Sequence, residues 1–445
     1  MVSLEHERLL HHIDERQGTY LERWERLQGC FSERASAMDD QLLLQLQSYG
    51  IHTTLLNHDS TFIYGELDNK AARTLLFYQQ YNANLAGIWE LLPIAIGLLA
   101  LDVYRECTGT IPVNIKWLVH SSRKPEITGL LSLVKEHQQQ LQADGCLWNR
   151  QLTAEEEIVL PIADGRDGRD GRDVSPFLFL GIKGLLCVEM ATHTATNPVP
   201  SHYGSIMPNS AWRLLWALNN LKDAREEILI DGFYDPVASI EDEALASLYT
   251  LPNSAAALAQ QWGMKELLLG LQGFQMHYAH LLTPTCTINF MTGGDETSSA
   301  SVPAFPLQIP SQARAQVDFH LVPGQEPDDI FAQLQRHLHN QGFSDIQTRL
   351  RYRCPPSYTP LATPFAQLVC NATRRAYEQE LLILPMQSES HPLSILQHVT
   401  NMPILVTASG NARSVSQSGE QLDVTSSLIR GLKQTVLIIN ALSET

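Results

Sequence analysis

Apolar residues recur at helical spacing through residues 4–48, with charged residues between them, which predicts one or two amphipathic helices. From Gly50 to Tyr81 the pattern shortens. IHTTLLN, TFIYGEL and RTLLFYQQY are β-rich runs, separated by the turn residues HDS and DNK. Residues 90–107 return to helical character, and the apolar run Leu91–Leu101 predicts a helix buried on all sides. VNIKWLVH reads as a buried strand after the turn TGTIP, and a further helix is predicted from about Glu126 to Ala143. Alternation of this kind predicts an α/β sheet with helices on both faces.

The pattern changes register from Phe177. FLFLGIKGLLCVEMATHTA predicts a long strand pair, and SAWRLLWALNNLKD an amphipathic helix opened by Asn209 and Ser210. CTINFM and ARAQVDFHLV are strands, Pro327, Asp328 and Asp329 open a helix running to His339, and DIQTRLRYRC is a strand. Strand–helix–strand–strand–helix–strand is the order of a split βαβ, ferredoxin-like unit. After Pro360 the pattern returns to helix (FAQLVCNATRRAYEQ), strand (MPILVTA) and helix (TSSLIRGLKQTVLIINAL). The expected organisation is therefore a discontinuous α/β domain, residues 1–180 and 360–445, with residues 181–359 inserted as a second, α+β domain. GRDGRDGRD at 165–173 and the TGGDETSSAS stretch around Ser298 and Ser299 predict surface loops.

Length and composition fit this picture: 445 residues suit two or three domains, and 44% hydrophobic residues supply a sizeable core. The net charge of -17 excludes the clustered basic surface that nucleic acid or an anionic membrane demands. No uninterrupted apolar run approaches the roughly 18–20 residues of a membrane span. The polar, periodic N-terminal residues do not read as a secretory signal. Seven scattered cysteines without a CxxC pair fit a reducing cytoplasm better than a disulfide framework or a zinc–thiolate site. The expected location is cytoplasmic.

Several segments in order resemble the two-zinc peptidase family that includes aminoacylase and carnosine dipeptidase. ADGCLWN and LGIKGLLCVEM are followed by IMPNSAWRLLWALNNLKD, ILIDGFYDPV, PTCTINF and IPSQARAQVDFHLVPGQEP. The resemblance covers about residues 5–440. It implies a zinc-peptidase-like catalytic domain with a mixed sheet and flanking helices, and an inserted ferredoxin-like lid that pairs subunits into a homodimer. It also implies amide hydrolysis by two zinc ions, held by histidine and carboxylate ligands. A fold does not fix a function, so the site residues are read separately.

At nearly every position where the family places a ligand, this sequence holds another residue type. The first strand of the site ends in Gln80, Tyr81 and Asn82 where the family has a His-Tyr-Asp run. The loop that carries the bridging aspartate is shortened, leaving Glu90 as the nearby carboxylate. After VNIKWLV the family's glutamate-rich turn is replaced by His120, Ser121, Ser122, Arg123 and Lys124. A unit positive charge about 4 Å from a dication costs about 8 kcal/mol at an effective dielectric of 20, so this turn disfavours metal. Asn149 stands for a carboxylate ligand, and Pro200 for the lid's histidine with His202 two residues on. His320 stands for the lid's arginine, and Ser416 or Gln417 for the final histidine.

The changes from Asp to Asn, Glu to Asn and His to Gln keep polarity and remove charge. They predict a polar cleft without zinc or any other cofactor, binding a small peptide or amino-acid-derived ligand through Gln80, Asn82, Glu90, His120, Ser122, Arg123, Asn149, His202, His320, Ser388, Ser390 and Gln417. A competing expectation is metal-independent amide or acyl chemistry, with proton transfer by His120, His202, His320 or His391. A third is residual zinc hydrolysis through Glu90, His120 and His202, and a fourth is an oligomerisation partner of an active paralogue. QSESHP, with Ser388, Glu389, Ser390 and His391, reads chiefly as a ligand-binding turn, though a serine–histidine–carboxylate set is conceivable. His11 and His12 read as solvent-facing. His277 and His280 have helical spacing but no partner motif for metal. A two-domain cleft also predicts hinge motion.

Overall fold

The computed structural model describes residues 4–30, 35–57, 61–82, 88–122, 128–150, 152–160, 176–294, 307–408 and 424–445. The N-terminal periodicity becomes three helices, α1 (Leu4–Glu15), α2 (Gln17–Cys30) and α3 (Ala35–Ser48). The first sheet then builds up from β1 (His52–Asn57), β2 (Thr61–Leu67) and β3 (Thr74–Asn82). α4 (Ile88–Cys107) leads to β4 (Asn114–Ser122), and α5 (Thr128–Glu136) with α6 (Gln138–Leu141) leads to β5 (Gly145–Arg150). The helix expected over 126–143 is thus two. α7 (Ala154–Val159) opens on a capping box in which Thr153 and Glu156 satisfy each other's backbone N–H groups. The triplet repeat at 165–173 lies outside the described residues.

β6 (Phe177–Phe179) and the long β7 (Gly181–His193) follow, then β8 (Val199–Pro200) and α8 (Ser210–Asn219). Asn209 caps α8, its side chain accepting from the amides of Ala211 and Trp212. Three helices absent from the sequence pattern come next: α9 (Asp242–Thr250), α10 (Ala255–Gln261) and α11 (Gly273–Leu282). Each is at most ten residues long, too short for a stable period to stand out. The second sheet is completed by β9 (Thr285–Gly293), β10 (Gln308–Ile309), β11 (Gln312–Leu321), α12 (Pro327–Asn340), β12 (Gln347–Cys354) and β13 (Ser357–Tyr358). The chain closes with α13 (Pro364–Tyr377), β14 (Leu382–Leu384), β15 (Gln387–Ser390), α14 (Ser394–Thr400), β16 (Ile404–Ala408) and α15 (Val424–Ser443).

The first sheet runs β1-β2-β4-β3-β5-β16-β6-β14. Its centre, β4-β3-β5-β16, is parallel, and the flanking pairs β2–β4 and β16–β6 are antiparallel. One face buries Phe77, Trp117, Val119 and Leu147 against α4, α13 and α15. The other buries Tyr78, Leu118, Trp148 and Val406, among residues that include Leu133 of α5 and Leu396 of α14. The run Leu91–Leu101 is buried throughout, as a helix covered on every side requires.

The second sheet is antiparallel, ordered β12-β7-β11-β9, with α8 and α12 on one face: the ferredoxin-like arrangement. Burial alternates strictly along β11, with Ala313, Ala315, Val317, Phe319 and Leu321 inward. β7 belongs to both parts. Its first residues pair with β13 and β15, and the rest pairs with β11 and β12. Leu248, Leu251, Leu281 and Leu282 of the helices between α8 and β9 pack in the first sheet's core, although in sequence they lie within the second unit.

One glycine is required where the two turns before α9 and α12 meet. Gly324 has φ +93°, and a Cβ there would lie 2.0 Å from the Pro236 carbonyl oxygen. Gly324→Ala is expected to destabilise the protein by roughly 2–4 kcal/mol, read as a lowered urea midpoint; an unchanged midpoint contradicts this packing.

Candidate active-site cleft

Strand order places a crevice between β3 and β5. The crossover after β3 leads through α4 to β4 on one side, whereas the connection from β5 leads away towards β6 on the other. Open α/β sheets bind ligands at such a reversal, outside the carboxyl ends of the strands. Gln80, His120, Asn149 and Arg150 all stand at these ends.

Side-chain alternation divides them between two faces. Gln80 pairs with His120 in the β3–β4 register, and both follow the parity of Tyr78 and Leu118. Asn149 follows Leu147 and so faces α4 and α15 with Gln79, Ser121 and Thr407. The sequence grouped Asn149 with Gln80; the two-residue period of a strand separates them.

His391, carried just past β15, closes over the first face. The Leu393 amide donates to its Nδ1 at 3.1 Å, so the proton of the neutral ring lies on Nε2, which donates to Gln80 Oε1 at 2.7 Å. Trp148 packs on the ring at 4.3 Å between centroids, and Tyr78 meets it edge-on at 5.7 Å. Burial, with the nearby His120 and Arg150, pushes the His391 pKa down to about 3. His120 is stacked on Phe62 at 4.4 Å, its Nδ1 makes a long 3.5 Å contact with the Tyr78 hydroxyl, and burial pushes its pKa down to about 4. Both histidines are thus neutral at pH 7.

Arg150, missed in the sequence, supplies a cation beside them. It donates through Nη1 to Glu156 Oε2 at 2.8 Å, through Nη2 to the other Glu156 oxygen, and through Nε to Gln387 Oε1 at 3.2 Å. Its guanidinium lies over the Trp148 and Phe179 rings. The available signal was its position next to Asn149, with a carboxylate six residues on that could turn back from the first turn of a helix.

The QSESHP segment expected as a turn is the strand β15, because its backbone extends along β7. Ser390 donates its one hydrogen to the Gly184 carbonyl at 2.6 Å, so the 2.7 Å contact with His320 has His320 Nδ1 as donor. No base therefore faces Ser390 there, and His391 is engaged by Gln80, so the serine–histidine–carboxylate set does not assemble. Ser388 lies half-buried on β15. Lys183, also missed, is buried and donates to the carbonyls of His280 and Thr283 at 2.8 and 2.9 Å, tying the end of α11 to β7. Burial pushes its pKa down to about 7.

His202 is not brought to this cleft. It is exposed in a single turn beyond the far end of β7, whose twelve residue steps from Gly181 to His193 span roughly 40 Å. The expected convergence of His120, His202, His320 and His391 reduces to His120 with His391, while His320 pairs with Ser390. Asn82, Glu90 and Ser122 lie on β3, α4 and β4, but their side chains are outside the described residues, as are Arg123 and Gln417 altogether. His277 donates to the Pro252 carbonyl within a buried helix face, and His12 meets Glu106 rather than facing open solvent. All seven cysteines are free thiols. Among the described residues no three His, Cys, Asp or Glu side chains converge to hold a metal ion, and no helix is long and apolar enough to cross a membrane.

Residues 190–345 match the model of the peptidase dimerisation domain. In fold, the chain is similar to an M20 family metallo-carboxypeptidase from Sulfolobus solfataricus, at 20% identity and TM-score 0.72, over 94% of this chain and 100% of that one. It is similar to human carnosine dipeptidase 1 at 15% identity and TM-score 0.66, over 100% of both chains. The di-peptidase Dug1p from Saccharomyces cerevisiae gives 16% identity and TM-score 0.66, over 99% of both. None of the curated proteins matches the chain in sequence. The fold is thus that of this peptidase family.

The two neutral histidines set a pH dependence. Their folded pKa values lie below the ordinary 6.5, so below that pH the unfolded chain binds more protons and stability falls as pH falls, down to about pH 3–4. Urea unfolding between pH 7 and 5 is expected to lose stability by up to about 1.4 kcal/mol per pH unit for each histidine. His391→Gln is expected to flatten this slope; a variant with the wild-type slope contradicts the burial of a neutral ring.

Proposed function

We propose that this chain is a divergent member of the two-zinc peptidase family that works without metal, binding a small peptide or amino-acid-derived ligand in the former active-site cleft rather than hydrolysing it. The observation that carries the reading is the Gln80–His391 hydrogen bond. Gln80 stands where the family has a histidine ligand, and its amide oxygen is engaged by a ring nitrogen of a half-buried, neutral histidine.

Zinc takes histidine nitrogen, thiolate or carboxylate oxygen. The described donors do not fit a zinc pair. Gln80 and Asn149 are amides, both His391 ring nitrogens are engaged, and the Glu156 carboxylate is held by Arg150. The Arg150 cation itself disfavours a dication nearby. The groups at the strand ends remain polar, and amides both donate to and accept from a peptide group. Carnosine dipeptidase 1 and the di-peptidase Dug1p share the fold, which supports a peptide-sized, amino-acid-derived ligand.

The proposal includes a homodimer formed through the inserted domain. Among the described residues β9 is the edge of its sheet; Met291 on it and Trp212, Leu215 and Trp216 beside it are exposed. Trp212, Leu215 and Met291 line a pocket of about 230 Å³. An apolar patch at an unpaired strand edge is a ready association surface.

Two experiments test these statements. Dipeptides and N-acyl amino acids are expected to raise the melting temperature while chromatography finds no cleavage, with or without added zinc. Turnover that rises with zinc and vanishes with chelator contradicts the reading. For the assembly, Trp216→Glu with Met291→Glu is expected to convert a dimer into a monomer in sedimentation velocity; an unchanged sedimentation coefficient places the interface elsewhere.

A further inference from the structure

Thr407 and Asn149 are direct neighbours across the β16–β5 pair, about 4.8 Å apart as strands are spaced. Gln79 joins them one step past the Tyr78–Trp148 pair, and Ser121 lies further along β4 on the same face. All four are at least 95% buried. Among the described residues, Asn149 Oδ1, Thr407 Oγ1 and Ser121 Oγ have no hydrogen-bond partner.

Buried polar atoms of this kind are costly and are nearly always satisfied by protein, water or ligand. Two unsatisfied atoms at directly paired positions on parallel strand ends, Asn149 Oδ1 and Thr407 Oγ1, at the topological crevice, form a pair rather than isolated defects. The Thr407 hydroxyl makes no hydrogen bond within the fold, and valine would fill the same space without that penalty.

We infer that Asn149 and Thr407 form a subsite for an uncharged amide group of the ligand, on the sheet face opposite Gln80 and His391. The Asn149 oxygen only accepts, so the ligand must present a donor hydrogen there, as an amide N–H does. Thr407 has a hydrogen to give, so a carbonyl oxygen can lie beside that N–H. A peptide-type amide carries both. Neutral groups do not compensate a free charge. On the same sheet face the Asp39 carboxylate accepts from the hydroxyl of Tyr81, two residues past Gln79, and adds negative charge that disfavours a ligand carboxylate. This assignment rests on the proposed metal-free ligand-binding reading and specifies which part of a ligand the site takes.

The test is thermal unfolding of wild type and Thr407→Val with three probes: N-acetylglycinamide, its carboxylate counterpart N-acetylglycine, and the ammonium-bearing glycinamide. Without ligand, Thr407→Val is expected to keep or raise the melting temperature, by roughly 0–3 °C, because it removes an unsatisfied buried hydroxyl. N-acetylglycinamide is expected to stabilise wild type most, and Thr407→Val to lose most of that shift. Asn149→Leu serves as the second variant and is likewise expected to lose most of that shift. The inference is overturned by a larger shift from either charged probe, by no shift from any probe, or by an undiminished shift in both variants. It is equally overturned if Thr407→Val alone lowers the melting temperature by several degrees, or if crystals with and without the amide hold only water at Asn149 and Thr407. Zinc-dependent dipeptide cleavage by wild type instead overturns the underlying reading, so the two failures are distinguishable.

Discussion

The hydrogen bond between His391 and Gln80 constrains the whole end of the sheet. A ring whose Nδ1 accepts from the Leu393 amide and whose Nε2 donates to a side-chain amide cannot take a second proton without breaking a contact. Trp148 and Tyr78 pack against it. The neutral ring in turn suits the apolar neighbourhood of Phe62 and His120, and leaves Arg150 to be held by Glu156 and Gln387. Among the described residues, this end of the sheet is arranged around neutral amides and a cation paired with an internal carboxylate.

The rest of the architecture serves that arrangement. β7 carries residues of both parts on one continuous strand, and Lys183 on it holds the carbonyl end of α11. The leucines of α9 and α11 lie in the first sheet's core. The inserted unit is therefore joined to the cleft by a shared strand, a buried lysine and a common core, and the hinge expected from sequence meets three kinds of attachment. On its far side the same unit presents the apolar edge formed by α8 and β9.

Much of the fold was legible because period and chemistry agreed. The alternation in ARAQVDFHLV, the unbroken apolar run of α4 and the Asn209 cap each specify one element. The short helices α9–α11 and the strand β15 were not legible, since their form is imposed by what they pack against. In the site, residue types at strand ends were readable, but facing and pairing were not. Asn149 turned out to face away from Gln80 through strand parity, His202 to lie at the wrong end of β7, and Arg150 and Lys183 to owe their importance to distant partners.

The most direct measurement of the central claim is the zinc content of protein purified without chelator and then equilibrated with excess zinc and desalted. The arrangement of Gln80, His391, Asn149 and Arg150 predicts well under one zinc per chain. One or two tightly held ions per chain would contradict it, and would mean that ligands beyond these residues restore a metal centre.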